Sequence, residues 1–164
     1  MIILQKSMSG VNEASLARFL TRAKRAAGLS GNVNILLTSN RELRSLNRRF
    51  RQKDKPTDVL SFPAGFDLRG FAGDVAISLE IARSNARRLG HPVGDEVKVL
   101  MLHGLLHLAG YDHETDKGKM ARLEDSLRKK LGLPVALIGR TRNGLSAAPA
   151  AHTAPAIWRR RRKR

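Results

Sequence analysis

Residues 95–113 read Asp-Glu-Val-Lys-Val-Leu-Met-Leu-His-Gly-Leu-Leu-His-Leu-Ala-Gly-Tyr-Asp-His. The apolar positions follow the helical period and predict a helix that packs one side on a sheet: Val97, Leu100, Met101, Gly104, Leu105 and Leu108. We expect Asp95 to cap this helix and Gly110 to end it in a left-handed conformation. His103 and His107 are four residues apart, so they share an adjacent edge of the helix.

Three histidines in this stretch form a candidate metal site. His103 and His107 can bind one ion together, and the turn at Gly110 lets His113 reach the same ion. Three neutral imidazoles with an open fourth position are typical of a catalytic site for one zinc ion, Zn²⁺. The alternative is three solvated histidines at a helix end, where a cation suits the helix dipole.

The spacing H-x-x-x-H-x-x-G-x-x-H also occurs in metzincin proteases. Those enzymes place a glutamate, their general base, directly after the first histidine. Here that position is Gly104, which cannot accept a proton from a metal-bound water. The substitution argues against a metalloprotease.

Hydrophobic patterns elsewhere predict short strands at 1–4, 32–38, 57–62 and 73–78, and helices at 12–27, 40–50, 79–89 and 116–131. Because strands and helices do not alternate strictly, we expect an α+β fold. It would have one small mixed sheet of about four strands with helices packed on it, like a zinc hydrolase.

The net charge of +17 is unevenly distributed along the 164 residues. From Arg140 onward there are eight basic and no acidic residues, which leaves +9 on the body. Such a field attracts polyanions, most commonly nucleic acid, although solubility or attraction to a membrane surface are alternatives. We therefore predict one catalytic domain at 1–139 and a disordered basic tail of alanine, proline and arginine at 140–164.

The role of the tail and the location of the protein are further expectations. The tail could be a soluble extension, or a tether to RNA with Trp158 stacking on a base. The chain lacks cysteine, a signal-peptide pattern and any stretch of roughly 20 apolar residues, which predicts a cytoplasmic protein without a membrane partner.

Five basic residues lie close together before the predicted strand at 57–62: Arg48, Arg49, Arg51, Lys53 and Lys55. An arginine at a helix end can bind phosphate through two hydrogen bonds, although most such runs are solvated basic faces. Together with the metal motif, the cluster suggests hydrolysis of a phosphodiester.

Three motifs together resemble the YbeY family over about residues 30–132. They are Lys-Asp-Lys-Pro-Thr-Asp-Val-Leu-Ser-Phe-Pro at 53–63, Gly-Asp-Val-Ala-Ile-Ser at 73–78, and the histidine motif. The resemblance implies a single-strand-specific endoribonuclease that matures small-subunit (16S) ribosomal RNA and acts in ribosome quality control. It implies zinc on His103, His107 and His113, a functional Arg51, and the small ribosomal subunit with its associated factors as partners. The tail lies outside the family pattern.

The mechanism stays open at this point. A zinc-bound water could attack the phosphodiester, with Arg51 stabilising charge on the phosphate oxygens, or the RNA 2′-hydroxyl could attack. No residue stands out as the general base. Asp112 could orient an imidazole, and Asp58 and Asp74 could do so or be purely structural. A second hypothesis is a ribosome assembly factor whose metal only stabilises the fold.

Overall fold

The computed structural model describes residues 1–5, 7–65, 70–113 and 115–134. The predicted tail from Arg140 onward, with Trp158, lies outside the described residues, as does the end of the predicted 1–139 domain.

The described residues form four strands and five helices in a mixed order. The elements are β1 (Ile2–Leu4), α1 (Glu13–Ala26), β2 (Asn32–Thr38), α2 (Asn40–Arg51), β3 (Val59–Pro63), β4 (Phe71–Ser78), α3 (Leu79–Leu89), α4 (Val93–Leu108) and α5 (Lys119–Leu131). The predicted α+β class is confirmed.

The four strands form one mixed sheet in the order β1-β2-β4-β3. β2 pairs in parallel with β1 and β4, placing Ile35 between Ile2 and Val75. β3 is antiparallel to β4, with Ser61 opposite Val75, and forms one edge of the sheet. The predicted small mixed sheet is therefore correct in size and type.

Both faces of the sheet are buried. Successive residues of a strand point to opposite sides, so each strand contributes to both faces. One face presents Val33, Ile35, Leu37, Val59, Val75 and Ile77 to the core shared with α1, α4 and α5. The other face presents Leu36, Leu60, Phe62 and Ala76 to Leu43 and Leu46 of α2. The helices α2 and α4 thus pack on opposite faces of the sheet.

Helix α4 is more deeply buried than its sequence pattern predicts. Besides the predicted stripe, Leu102 and Leu106 are also buried, because α1, α3 and α5 cover the side that faces away from the sheet. None of the helices in the described ranges is both long and apolar enough to cross a membrane.

Two predicted helix starts need correction. Helix α4 begins at Val93 after Pro92, whose carbonyl oxygen accepts from the backbone N–H of Asp95, so Asp95 is not the cap. Its carboxylate instead pairs with Lys98 at 2.9 Å. Helix α5 begins at Lys119, although the Asp116 carboxylate does accept from the Met120 N–H at 2.7 Å.

Candidate metal centre

Two of the three predicted ligands lie on α4, the most buried of the described helices. His103 and His107 are one turn apart on α4, with exposures of 1% and 3%. Gly110 follows the helix with a φ of +90°, as predicted, and turns the chain so that the half-buried His113 returns to the same place. A glycine is suited to this backbone conformation because it has no Cβ.

The three imidazole rings surround one point. The ring centroids of His103 and His107 are 4.7 Å apart, and each is 5.2 Å from that of His113. One ring nitrogen from each histidine lies within 4.8 Å of the others, which suits a single shared ion. The structure therefore brings the three predicted ligands together.

The hydrogen bonds of the outer ring nitrogens determine which way the lone pairs point. Nδ1 of His103 lies 2.8 Å from Oε1 of Glu124, and Nδ1 of His107 lies 3.0 Å from the carbonyl oxygen of Tyr111. A carboxylate and a carbonyl only accept, so we assign the proton of each neutral ring to Nδ1.

This assignment leaves two acceptor atoms facing each other. The Nε2 atoms of His103 and His107 are 3.1 Å apart. Two bare lone pairs at that distance repel unless a cation lies between them, either a proton or, with His113, a metal ion. The donor set thus fits a metal, and a metal such as zinc prefers imidazole nitrogen among its ligands.

Burial keeps the imidazole of His107 in the neutral form that binds a metal ion. Desolvation, followed by the positive charges of His103 and His113, lowers the pKa of His107 to about 3. Its hydrogen bond to Tyr111 and the charge of Asp112 oppose the shift only in part. His107 is therefore neutral at physiological pH, which is the state that binds a metal ion.

Glu124 is the site residue that sequence reasoning missed. It projects from α5 into the core and, like the His103 ring that it contacts, is only 1% exposed. The preceding residue, Leu123, is partly buried and packs against the same core. The available signal was spacing, because Glu124 falls between Met120 and Leu127 on the buried side of the helix.

The three aspartates singled out from the sequence occupy different places. Asp112 accepts from the Thr115 hydroxyl at 3.1 Å, and its charge acts on His107. Asp58 begins the segment leading into β3, where burial raises the pKa of its carboxyl and nearby His103 opposes that shift. Asp74 pairs across the sheet with Phe62, so it points to the α2 face and accepts from Asn34 at 2.9 Å.

At Gly104, helix α4 lies close to the sheet. A Cβ at this position would lie 2.7 Å from Cγ1 of Val75 and 3.1 Å from Oγ of Ser61. The Ser61 hydroxyl donates to the Gly104 carbonyl oxygen at 3.2 Å. A glutamate here would collide with the sheet, so this fold has no room for the protease base at that position.

Arg51 differs from the other basic residues of its cluster. It is partly buried, with Nε and Nη1 shielded from solvent, whereas the other four are exposed: Arg48, Arg49, Lys53 and Lys55. It ends α2, on the opposite face of the sheet from α4, just before the loop that leads to edge strand β3. Its catalytic role stays a prediction.

Comparison with known proteins identifies the family of this chain. The family model described as Endoribonuclease YbeY matches residues 3–132. The chain is 61% identical to "Endoribonuclease YbeY" of Koribacter versatilis, over 86% of this chain and 91% of that protein. It is 44% identical to the protein of the same name from Solibacter usitatus, over 87% and 95%. The solution structure of TM1509 from Thermotoga maritima is 29% identical, with a TM-score of 0.53 over 88% of this chain and 93% of that one. The chain therefore belongs to the endoribonuclease YbeY family.

Proposed function

We propose that this protein is a zinc-dependent endoribonuclease that cuts single-stranded RNA during maturation of small-subunit ribosomal RNA. The observation that carries the proposal is the buried cluster of three imidazoles, two of whose Nε2 atoms converge at 3.1 Å. Membership in the YbeY family supplies the reaction class.

The residues of the cluster would act by holding the ion in a fixed position. His103, His107 and His113 bind it through ring nitrogens, and Glu124 and the Tyr111 carbonyl fix two of those rings. When bound, zinc lowers the pKa of a coordinated water toward about 7 and stabilises negative charge on a phosphate.

Arg51 would bind the phosphodiester that is cut. A guanidinium can donate two parallel hydrogen bonds to phosphate oxygens and so stabilise the charge that grows there in the transition state. Its partial burial favours this role, because a charge interacts more strongly with a substrate where water is excluded.

The identity of the substrate and the location of the protein are further parts of the proposal. The net charge of +17 favours an RNA partner, and we infer the small ribosomal subunit with its associated factors from the family resemblance. The absence of cysteine is consistent with a cytoplasmic location.

A second candidate is an assembly factor whose metal is structural. The contact between His103 on α4 and Glu124 on α5 favours it, because an ion at the cluster also ties these elements together. The two candidates differ in whether RNA is cut.

The decisive experiment measures cleavage and metal content together. Chelated full-length protein is incubated with a precursor of small-subunit ribosomal RNA and with a fully double-stranded RNA, before and after one equivalent of zinc is restored. We expect zinc to restore cleavage of single-stranded segments alone. Tight zinc binding without any cleavage would favour the assembly factor.

The role of Arg51 is tested against a neighbour with the same charge. Arg51→Ala should reduce the cleavage rate constant about 100-fold or more and leave zinc content unchanged. Arg49→Ala, an exposed position in the same helix turn, should change the rate only a few-fold. Equal effects of the two substitutions would remove Arg51 from the mechanism.

A further inference from the structure

A second basic groove lies away from the histidines. It has a volume of about 720 Å³ and separates the loop after β1 from the exposed face of α3. Its lining is mostly basic or hydroxylic: Ser7, Ser9, Arg83, Ser84, Arg87 and Arg88.

The arginines of this groove carry charge that the described residues do not neutralise. Arg83 and Arg87 are one turn apart on α3, and neither is within ion-pair distance of an acidic group in the described ranges. Arg88 donates to the Asn85 amide oxygen at 3.1 Å. The Glu80 carboxylate at the groove wall accepts from the Asn40 N–H at 2.5 Å. Like charges one turn apart destabilise a helix slightly, so the arrangement is better suited to an anionic ligand than to folding.

We propose that this groove binds the phosphodiester backbone of the RNA substrate at nucleotides that flank the cleaved bond. Arginine forks and serine hydroxyls are the groups with which proteins contact phosphate without reading sequence. The inference rests on the proposed function for the identity of the polyanion. An acidic protein partner is the competing occupant, and the test below separates the two.

The position of the groove explains why only a long RNA would use it. The loop that forms one wall continues to Gly10, which packs against Val93 and Gly94 in the first turn of α4. His103 lies nine residues further along that helix, which is about 14 Å at 1.5 Å per residue. We therefore expect a strand held at both places to extend beyond the metal centre by at least about this distance.

The test compares two triple variants that remove the same charge. The groove variant is Arg83→Gln, Arg87→Gln and Arg88→Gln. The matched control is Arg22→Gln, Arg25→Gln and Lys130→Gln, which changes a separate basic groove of about 410 Å³ between α1 and α5. Fluorescence anisotropy measures binding of full-length, zinc-loaded protein to single-stranded RNAs of about 4 and about 16 nucleotides, across a salt series. A 2′-O-methyl group at each position of the RNA blocks attack by the 2′-hydroxyl, and gel electrophoresis after each titration shows that the RNA is still intact.

We expect the groove variant to bind the long RNA at least about 10-fold more weakly. For this variant, the slope of log K against log salt concentration should become shallower by about 2. Each phosphate contact on a single strand contributes about 0.7 to that slope, and three arginines are removed. The control should lose at most about 3-fold, and both variants should bind the short RNA as the unmodified protein does. The single variant Arg87→Gln should change the slope by about one third as much. Because one substitution is less disruptive than three, this variant shows whether the effect survives when misfolding of the triple variant is not an issue.

Two results would overturn the inference. Equal weakening in both triple variants would mean that only net charge matters, and unchanged long-RNA binding in the groove variant would assign the groove to another partner. Cleavage of unmodified short RNA by the unaltered protein tests the proposed function separately, because the groove does not contact so short a strand.

Discussion

The metal centre and the basic surface of α2 are built in opposite ways. His103 and His107 lie in the core on helix α4, and both are fixed by hydrogen bonds from their outer ring nitrogens, while the half-buried His113 follows the helix. The arginines of α2 lie on the surface, and Arg51 alone of its basic cluster is partly buried. We conclude that the first region couples chemistry to folding, whereas the second can change with little effect on stability. The following predictions test that contrast, beginning with the largest expected effect.

Removing a metal ligand should have the largest effect. His107→Ala takes away one of the three converging nitrogens, and we expect zinc affinity and cleavage rate to fall by more than about 100-fold. Zinc content by elemental analysis and RNA cleavage measure the two effects. His91→Ala is the control, since His91 pairs with Glu96 at 3.2 Å, outside the cluster. A His107→Ala protein that keeps its zinc would contradict the assignment.

Removing the charge of Glu124 should have the next largest effect. Glu124→Gln no longer holds the Nδ1 proton of His103 with a full negative charge, and we expect zinc to bind about 10- to 100-fold more weakly. Competition with a chromophoric chelator measures this affinity. Asp125→Asn, one residue away on the exposed side of α5, should bind zinc normally. If both variants behave alike, Glu124 does not support the site.

The close approach at Gly104 should make even a methyl group costly. Gly104→Ala should lower the free energy of unfolding by about 1–2 kcal/mol, because overpacking against Val75 outweighs the better helix propensity of alanine. Denaturant titration provides the measurement. Gly65→Ala, where among the described residues nothing beyond its chain neighbours lies within 4 Å of an added Cβ, is the control. A more stable Gly104→Ala variant would show that the helix and sheet are not in close contact.

The stability of the zinc-free protein should fall on acidification. The pKa of His107 is about 3 in the folded chain and about 6.5 when unfolded, so between these values the unfolded state binds more protons. The contribution of His107 to the free energy of unfolding is therefore complete above about pH 6.5. It decreases, by at most about 1.4 kcal/mol per pH unit, as the pH falls toward 3. The raised pKa of Asp58 acts in the opposite direction.

Comparison with His107→Gln isolates this effect, because Asp58 is the same in both proteins. Chemical denaturation from pH 7 to pH 4 should show a steeper loss of stability in the unmodified chain. Parallel curves would contradict the neutral, buried state of His107.

The α2 surface should show the smallest effect. Arg44 and Asp54 form two hydrogen bonds of 2.7 and 3.0 Å, yet both side chains are about half exposed. Because water and salt screen such pairs, Arg44→Gln should leave the unfolding midpoint unchanged within error. A clear drop in thermal denaturation would show that this surface also contributes to the fold.

The regular elements were predictable because their signals are local. Alternating residues placed β2 at its observed bounds, and the apolar spacing before Gly90 placed α3 at its own. The three ligands were also predictable, since a helix turn and one glycine bring them together. The start of α4 was not, because the fixed backbone of Pro92 replaced the expected cap by Asp95.

The parts that could not be predicted depend on contacts between distant residues. Glu124 meets His103 across 21 positions, and nothing near either residue indicates that pairing. Likewise, the sequence indicates only that Gly104 lacks the side chain of a catalytic base, whereas the 2.7 Å between an added Cβ and Val75 shows that the glycine also permits the helix to approach the sheet. The strand order with β4 between β2 and β3 follows from packing that a linear pattern does not contain.

The bond between His103 and Glu124 has a consequence for the motions of the molecule. It joins the deeply buried α4 to α5, the last helix described, and so links metal occupancy to local opening of that helix. Stripping the ion removes binding free energy from the closed state, so amide protons of residues 119–131 should exchange faster while those of the sheet stay protected. Zinc availability would then set the lifetime of α5, making this helix a reporter of metal status.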